Sequence, residues 1–521
     1  MNHEVTNQPP PVPDLDLADD AALCDALARA GGDPAALSSF GDAAGRAETR
    51  ELARLANENR PVLHSHDRYG HRIDRVEFHP AYHELMGLGL ETGRVAAAAW
   101  TGEGRAGHIA RLYLMTQAEA GVVCPMSMTH AAMPVLAAAG LEDWAAGVRA
   151  ARYDPRHLPA PEKEGLTLGM AMTEKQGGSD VRANTTTARP DGDWWVLDGH
   201  KWFCSAPMSD GFLTLAQGPE GLSCFLVPRV LPEGRAQGMR IMRLKDKMGD
   251  RANASSEIEY HGARAIAVGP PGRGIATIIA MVAETRLDCV AGSAGGMRAA
   301  LREALWHVAH RRAFQRRLID QPAMRVLMAD LCLEVEAAVA LSLRGAALMD
   351  AGDPLARVAV PAAKYWVCKR QVGVVHEALE AHGGAGYVEE APMGRLFRAA
   401  PLNAVWEGSG NVIALDLLRA LRDPAVTDAV AERFAALRGL HPALDAHLAG
   451  FDHAPDEADA RGFAERLALG FQAEALSEGD PAVFEAFCVA RLGGTGLAYG
   501  GAEVPHTERL IERAMPAAAL G

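Results

Sequence analysis

The segment that decides the fold is Thr173-Glu-Lys-Gln-Gly-Gly-Ser-Asp180, which follows a strand-like run at 166–172. It places hydroxyl groups and paired glycines at the end of that run. A second segment, Trp406-Glu-Gly-Ser-Gly-Asn411, places one carboxylate between a bulky aromatic side chain and a flexible Gly-Ser-Gly. Because glycine lets the backbone approach a ligand closely, the first segment indicates a cradle for an anionic cofactor. The second indicates a carboxylate presented as a base.

The sequence around the first segment has a β-like texture. Short runs of apolar, aromatic and β-branched residues are separated by turn signals at 190–193, 198–199 and 218–219. Such runs favour strands joined by tight turns. They predict an antiparallel β domain of roughly a hundred residues inserted between helices. The predicted strands lie at 166–172, 185–188, 194–197, 201–204, 212–216, 222–227 and 255–260.

Helical patterns flank this β domain. Apolar residues recur at spacings of three and four from about residue 21 to 164 and again from 273 onward, with long stretches at 323–349 and 362–380. The Pro- and Asp-rich residues 1–20 are expected to be extended, either packed across a neighbour or disordered, with disorder as the default. The fold class is therefore α+β. Four regions are predicted: an N-terminal extended arm and helical domain (1–165), an antiparallel β domain (166–270), a C-terminal helical bundle (271–425) and an additional helical segment (426–521).

Composition narrows the functional class. The net charge of −14 argues against a protein that coats nucleic acid with its whole surface. Eight scattered cysteines without a CxxC pair are typical of reduced thiols in the cytoplasm. No HExxH motif or clustered His/Cys spacing occurs, so no catalytic metal is expected. Residues 1–11 lack the basic and apolar regions of a signal peptide, and the strongest apolar run, at 275–283, is too short to span a bilayer.

The two opening segments together resemble the acyl-CoA dehydrogenase family of flavoenzymes. The wording Met172-Thr-Glu-Lys-Gln-Gly-Gly-Ser-Asp-Val-Arg-Ala-Asn-Thr185 resembles the AidB-like branch of that family, named for a bacterial alkylation-response protein. The resemblance covers residues 100–425 well and the two ends weakly. It implies a helical domain, a β domain and a helical bundle, with FAD as the cofactor. It also implies an acyl-CoA thioester substrate, an electron-transfer acceptor and a homotetramer built as a dimer of dimers.

Removal of an α-proton from a thioester needs a base whose pKa is raised toward neutrality. A carboxylate in an apolar, aromatic-walled pocket meets that need by desolvation, and Glu407 stands beside Trp406 and Val405 in sequence. The family's base lies in the matching place, so the resemblance assigns the role to Glu407. The alternative is a glutamate that opens the helical run 412–418. A rival base is Glu284, which is otherwise expected to be a solvated residue at the end of the run 275–283.

The resemblance also assigns flavin contacts to the β domain. Met172 and Thr173 are matched to the flavin ring, and Gly178 and Ser179 to the pyrophosphate. The matched second strand carries Trp202, Phe203, Cys204 and Ser205. The commoner family residue at Cys204 is Thr, so Ser205 is the alternative source of a hydroxyl donor to flavin N5.

Further cofactor contacts are implied from the helical half of the chain. The segment 310–317 resembles one in which a neighbouring subunit reaches the cofactor, which places Arg311 at the phosphates and Phe314 near the adenine, with Gln321 in support. The alternative is a solvated basic helix face. Glu380, Gly383 and Gly384 match a Gln-x-x-Gly-Gly element, although the Gly pair alone is typical of a helix C-cap. Val405, Trp406, Ser409 and Asn411 complete the assigned flavin contacts.

Two functions compete at this point. Arg286 is matched to substrate binding, but Ala283 stands where relatives have the Asp that pairs with it, which weakens a standard CoA grip. The first hypothesis is a flavin-dependent acyl-CoA dehydrogenase. The second is an AidB-like flavoprotein that binds DNA and protects it from alkylation with little turnover. Residues 422–521 hold eight Arg, no Lys and sixteen Asp or Glu, a net of −8, which disfavours phosphate binding there. A third reading is a degenerate dehydrogenase kept for assembly.

Overall fold

The computed structural model describes residues 3–233, 237–451, 455–493, 498–499, 501 and 503–519. The chain forms two compact units. The helical unit comprises Met1–Ala47, Gly104–Ala118 and Arg286–Gly521, and the sheet unit comprises Glu48–Glu103 and Glu119–Thr285. Each unit contains part of the predicted 1–165 region. The division of the chain into four regions therefore stays a prediction.

Helices account for most of the described chain. In order they are α1 (Ala21–Arg29), α2 (Ser38–Gly45), α3 (Ala47–Glu58), α4 (Pro80–Gly87), α5 (Gly104–Ala118), α6 (Ala120–Ala138), α7 (Glu142–Arg149), α8 (Gly274–His310), α9 (Pro322–Asp350), α10 (Ala356–Ala381), α11 (Met393–Ala399), α12 (Gly410–Ala420), α13 (Pro424–Ala436), α14 (Pro442–Leu448), α15 (Ala460–Ser477), α16 (Pro481–Phe487) and α17 (Thr507–Ala514). The predicted long helices are confirmed as α9 and α10. Helix α9 is buried along most of its length from Met328 onward, and its buried residues include Asp330, Glu334 and Glu336.

The strands lie mainly in the sheet unit. In order they are β1 (Val62–His66), β2 (Arg72–Glu77), β3 (Leu168–Ala171), β4 (Thr187–Asp191), β5 (Trp194–Ser205), β6 (Gly211–Gly218), β7 (Gly221–Pro228), β8 (Met239–Leu244), β9 (Ser255–Val268) and the two-residue β10 (Arg312–Ala313) and β11 (Arg316–Arg317). All seven predicted strands coincide with observed ones. The sequence patterns missed β8 and the β1–β2 hairpin.

Strands β3 to β9 form a seven-stranded sheet in which β6, β4, β5, β9 and β7 close into a ring. The pairings are antiparallel except that β3 and β4 each pair with β6 in parallel. The turn predicted at 198–199 is wrong, because both residues lie inside the continuous strand β5. A bulge at Asp198 absorbs the irregularity. Gly199 has φ +150, and a Cβ there would lie 2.6 Å from the Thr186 backbone.

The N-terminal arm packs within the helical unit from Asn7 onward, so the default of disorder is wrong for residues 7–20. Leu17 and Ala18 are buried. The indole Nε1 of Trp306 donates to the Pro10 carbonyl at 2.8 Å. Asp20 then caps α1 by accepting from the Ala22 and Leu23 amides, which is the usual role of an Asp at an N-cap.

Among the described residues, one helix has the length and hydropathy that a membrane span requires. It is α6, Ala120–Ala138, which the sequence patterns did not single out. Of its most apolar window, 78% is buried inside the protein. Burial of that extent is typical of a core helix, which passes the same test of length and hydropathy.

Candidate active site

Glu407 lies in a turn before helix α12. Its backbone is left-handed, with φ +58, while α12 begins at Gly410 with Ser409 as the N-cap. The alternative in which Glu407 opens the helix is therefore wrong. A left-handed glutamate is uncommon and costs about 1–2 kcal/mol, so the surrounding structure must hold it in place.

Two cations hold the carbonyl groups of this turn, which we call the base turn (Trp406, Glu407 and Gly408). Lys364 on α10 is 1% exposed, and its Nζ donates to the Trp406 carbonyl at 2.7 Å and to the Gly408 carbonyl. Nε of Arg286 donates to the Glu407 carbonyl at 3.2 Å. Three consecutive carbonyl oxygens are thus bonded to side chains, which fixes the backbone from which the Glu407 side chain projects.

Arg286 has a second partner in the helical unit. Its Nη1 lies 2.8 Å from Asp416 Oδ2 on α12, and Asp416 also accepts two bonds from Arg357. Burial alone would raise the pKa of Asp416, but the two guanidinium groups lower it overall. The residue matched to substrate binding therefore also braces the base turn. Asp416, which the sequence analysis missed, supplies the carboxylate that is absent at Ala283.

The residues next to the base turn in the chain are partly exposed to solvent. Nε1 of Trp406 donates to Asn403 Oδ1 at 2.8 Å, and Asn403 Nδ2 donates to Ser293 Oγ at 3.1 Å. Val405 is 64% exposed. Asn411 accepts a bond from Arg461 on α15, so the last hundred residues reach the start of α12. The sequence offered no signal for that contact.

In the sheet unit, the two segments matched to flavin lie side by side. The Trp202 amide donates to the Thr173 carbonyl at 2.8 Å. A Cβ at Gly178 would meet Thr173 Oγ1 at 2.4 Å, so the turn packs against the hydroxyl only because residue 178 is a glycine. The Met172 carbonyl is held by Asn184 Nδ2. The predicted grouping of Met172, Thr173 and Trp202 is observed within this unit.

Cys204 and Ser205 on the second matched strand differ in burial. Cys204 is fully buried, and burial raises the pKa of its thiol to about 12. Ser205 is half-buried, with Oγ 3.0 Å from Ser255 Oγ, so Ser205 is the better source of a hydroxyl. Phe203 is 51% exposed, and Lys245 Nζ lies 3.5 Å from the centroid of the Trp202 indole ring.

Glu174 and Lys201 form a buried ion pair that the sequence analysis did not assign. Both side chains are fully buried, and Lys201 Nζ lies 2.9 Å from Glu174 Oε1. Glu174 also accepts from both backbone and hydroxyl of Thr185 and from the Thr186 amide. Lys201 donates to the Leu215 carbonyl. The pair ties the glycine-rich turn to β5 and β6 from beneath.

Replacing Glu174 with glutamine is expected to lower the free energy of unfolding by about 2 kcal/mol, the value of hydrogen bonds to a charged group. Burial would raise the pKa of Glu174, but the bonds from Thr185, Thr186 and Lys201 lower it to about 2. Since the folded-state pKa lies below the unfolded one, the stabilisation is present at pH 7 and is lost as the pH falls toward 2. Thermal unfolding of both proteins at pH 7 and pH 3.5 checks this, and equal melting temperatures at pH 7 would contradict it.

The segment around Arg311 is not a helix face, so that alternative is wrong. Strands β10 and β11 form a hairpin whose tip residues, Phe314 and Gln315, are left-handed with φ +51 and +65, as a two-residue type I′ turn requires. Phe314 is 92% exposed. Gln321 Nε2 donates to the Ala313 carbonyl at 3.1 Å, and Arg311 donates to the Asn7 carbonyl of the arm.

The matched Gly pair follows α10. The helix ends at Ala381, and Gly383 is left-handed with φ +60, which is the usual geometry of a helix C-cap. A Cβ at Gly383 or Gly384 would meet no atom within 4 Å, so the backbone there is open to close approach. Glu380 is exposed one turn earlier.

Glu284 is not solvated, and that expectation is wrong. It is 3% exposed, and its Oε2 lies 3.3 Å from Nε2 of His130 on α6. The ring of His130 stacks on Trp100 with centroids 4.9 Å apart. The rival base is therefore part of a buried polar cluster in the sheet unit.

Comparison with known proteins covers nearly the whole chain. Residues 7–155 match the family described as adaptive response protein AidB N-terminal domain, 169–263 match the acyl-CoA dehydrogenase middle domain, and 272–422 match the acyl-CoA dehydrogenase C-terminal domain. The chain is 43% identical over 514 residues to AidB of Escherichia coli (strain K12), covering 94% of this chain and 95% of that protein. The name of that relative marks its acyl-CoA dehydrogenase activity as provisional.

A relative and a solved structure from Caenorhabditis elegans also resemble this chain. Acyl-CoA dehydrogenase family member 11 is 30% identical over 408 residues, covering 74% of this chain and 66% of the relative. The crystal structure of ACDH-11 in complex with C11-CoA is 25% identical, with a TM-score of 0.84, over 98% of this chain and 96% of that chain. The expected fold is confirmed, and this chain belongs to the acyl-CoA dehydrogenase family of flavoproteins, in its AidB branch.

Proposed function

We propose that the protein is an FAD-dependent acyl-CoA dehydrogenase in which Glu407 removes the α-proton of an acyl-CoA thioester. The observation that carries this proposal is the base turn. A strained, left-handed glutamate is held there by bonds from Lys364 and Arg286 to three consecutive carbonyls. Strain of this kind collects at functional sites.

The residues present fit FAD. The glycine-rich turn packs closely on Thr173, Ser205 offers a hydroxyl, and the exposed Phe314 offers an aromatic face. Gly383 and Gly384 leave the backbone open. When bound, the flavin accepts the hydride from the β-carbon. The proposed contacts are those assigned from the sequence, including Gly178 and Ser179 at the diphosphate.

The chain's own groups then divide the work. Glu407 accepts the α-proton at its carboxylate, and the fixed carbonyls orient that carboxylate before substrate binds, which lowers the entropic cost of the reaction. Asp416 pairs with Arg286 and offsets its positive charge. We place the reaction in the cytoplasm, with a separate electron-transfer protein as acceptor. All eight thiols are free, and seven of them are buried.

The test is an anaerobic titration of the purified protein with acyl-CoA esters from C4 to C16, following loss of the visible flavin absorbance. The series includes undecanoyl-CoA, because the C. elegans relative was crystallised with C11-CoA. Purification of a yellow protein that at least one ester bleaches would support the proposal. A colourless protein that FAD cannot reconstitute would refute it.

The protein is expected to be a homotetramer, or at least a dimer. The β10–β11 hairpin presents Phe314 at 92% exposure, and an aromatic side chain at such a tip is costly to leave in water. Sedimentation velocity checks the assembly state. A monomer that retains its FAD would contradict the assignment of Arg311 and Phe314 to a neighbour's cofactor.

The alternative function is DNA binding with little dehydrogenase turnover, favoured by the match of residues 7–155 to the adaptive-response domain. Charge argues against it. Residues 422–521 carry a net of −8, and four of their eight arginines are paired with carboxylates of the helical unit. Those ion pairs are made by Arg433 with Glu474, Arg491 with Asp330, Arg509 with Asp480 and Arg513 with Glu336.

Duplex DNA is therefore expected to bind weakly, with affinity that falls steeply as salt rises. Fluorescence anisotropy with a labelled 30-base-pair duplex at 50 and 150 mM salt measures both quantities. Submicromolar binding at 150 mM salt that is lost when arginines in 422–521 are replaced would rank the alternative first.

A further inference from the structure

The helical unit contains a cavity of about 220 Å³ that has no part in the proposed chemistry. We call it the arm cavity. Residues from the N-terminal arm, the end of α5, the middle of α8 and the segment after α17 line it. Its polar lining comprises Asp14, Asp16, Asp19, Gln117, Arg298 and Arg302. The volume exceeds the roughly 150 Å³ of a cavity that admits benzene, so it has room for a small organic molecule.

The deep wall of the arm cavity is rich in donors. Gln117 is 6% exposed, its Oε1 accepts from Arg302 at 3.1 Å, and its Nε2 has no hydrogen-bond partner among the described residues. A buried amide N–H without a partner costs about 1–3 kcal/mol. That cost is recovered if a ligand oxygen accepts from it.

Arg298 adds donors beside Gln117. Its Nε bonds to Asp20 Oδ2 at 2.9 Å and its Nη1 to the Ala514 carbonyl at 2.6 Å. A guanidinium has five N–H donors, so three of them keep no partner in the described part of the chain. Arg298 is 6% exposed and lines the cavity. A carboxylate, which accepts in the plane of a guanidinium, matches this wall.

The rim has the opposite charge. Asp14 and Asp19 are exposed and Asp16 is half-buried. Asp14 accepts from the Ala47 amide, while Asp16 accepts from the Ala18 amide and the Ser38 hydroxyl. Three carboxylates at the mouth repel a simple anion and attract a cation. A ligand with one charge of each sign satisfies both regions.

We propose that the arm cavity binds a small zwitterion, with its carboxylate against Gln117 and Arg298 and its ammonium group at the aspartate rim. An ω-amino acid of about five carbons has the chemistry and size for this. The residues that line the cavity include neither Glu407 nor any assigned flavin contact, so this proposal does not rest on dehydrogenase activity.

The test uses the full-length purified protein with its flavin and four five-carbon probes in isothermal titration calorimetry. The probes are 5-aminopentanoate, pentanoate, pentylamine and glutarate. We expect 5-aminopentanoate to bind about tenfold or more tightly than each of the others, since each lacks one of the two charge contacts. Equal or tighter binding of glutarate or pentylamine, or no binding of 5-aminopentanoate at 20 mM, would overturn the proposal.

Two variants locate the binding. Gln117→Glu keeps an acceptor for Arg302 but replaces the Nε2 donor with a negative oxygen, and should weaken 5-aminopentanoate binding at least tenfold without lowering the melting temperature. Asp19→Asn should bring 5-aminopentanoate close to the affinity of pentanoate. Asp191→Asn, an exposed change in the sheet unit, is the matched control. Unchanged binding in Gln117→Glu would place the ligand elsewhere and reject the site.

Discussion

Replacing Glu407 with glutamine is expected to abolish acyl-CoA-dependent bleaching of the flavin while FAD binding stays intact. Glutamine keeps the shape of the side chain but cannot accept the α-proton, and loss of a catalytic base costs about two to four orders of magnitude in rate. The backbone of the base turn is held through carbonyls that glutamine retains. Single-turnover absorbance under anaerobic conditions measures the rate, and the visible spectrum of the purified variant measures flavin content.

The comparison variant is Glu284→Gln, which removes the carboxylate of the rival base, a buried residue on α8. It should bleach at close to the wild-type rate, with a modest fall in melting temperature because its contact with His130 changes. If Glu284→Gln loses acyl-CoA-dependent bleaching while Glu407→Gln retains it, the catalytic base is Glu284 and the assignment to Glu407 is wrong. If no ester bleaches even the wild type, the non-catalytic alternative takes precedence.

Replacing Lys364 with methionine is expected to be nearly as damaging, although Lys364 is assigned no contact with substrate or flavin. The variant leaves the Trp406 and Gly408 carbonyls without their donor. Each buried carbonyl that loses its partner costs about 1–3 kcal/mol. A base turn that relaxes by about 1 Å loses about 10²-fold in rate. The bleaching rate and the melting temperature should therefore fall together.

A positioning role predicts a particular kinetic pattern. In Lys364→Met, kcat should fall while KM changes little, because the substrate contacts remain. His376→Ala, a change at an exposed residue of the same helix, is the control and should keep both constants. A Lys364 variant with wild-type kcat would show that the base turn holds its geometry without the lysine.

The sequence predicted elements better than it predicted contacts. Strands such as β6 and β7 were visible because they are short, apolar and bounded by glycine turns. Strand β8 was missed because its sequence, Met239-Arg-Ile-Met-Arg-Leu244, places its arginines three positions apart, and this breaks the period-two alternation that predicts a strand. The hairpin at Arg312 was missed because Phe314-Gln315 is an unusual pair for a type I′ turn, which normally uses Asn and Gly.

The sequence predicted the motif residues of the candidate site. It did not predict the residues that hold those motif residues in place. Glu407 and Thr173 lie in recognisable sequence motifs, so the sequence alone could predict them as site residues. Lys364 and Asp416 lie in helices with no local signal. Lys364 bonds to the base turn directly, and Asp416 supports it only through Arg286. Contacts between residues that are tens of positions apart produce no periodic pattern in the sequence, so they could not be predicted from it. Glu174 lay inside the motif, but its pairing with Lys201 is visible only in three dimensions.

The left-handed backbone of Glu407 lowers the stability of the folded protein at the same position where the proposed activity needs a carboxylate. Glycine and asparagine occupy that conformation more cheaply than glutamate, so Glu407→Gly should raise the melting temperature of a protein that no longer dehydrogenates anything. Under the proposed function, the protein therefore keeps a carboxylate at position 407 at a cost in stability.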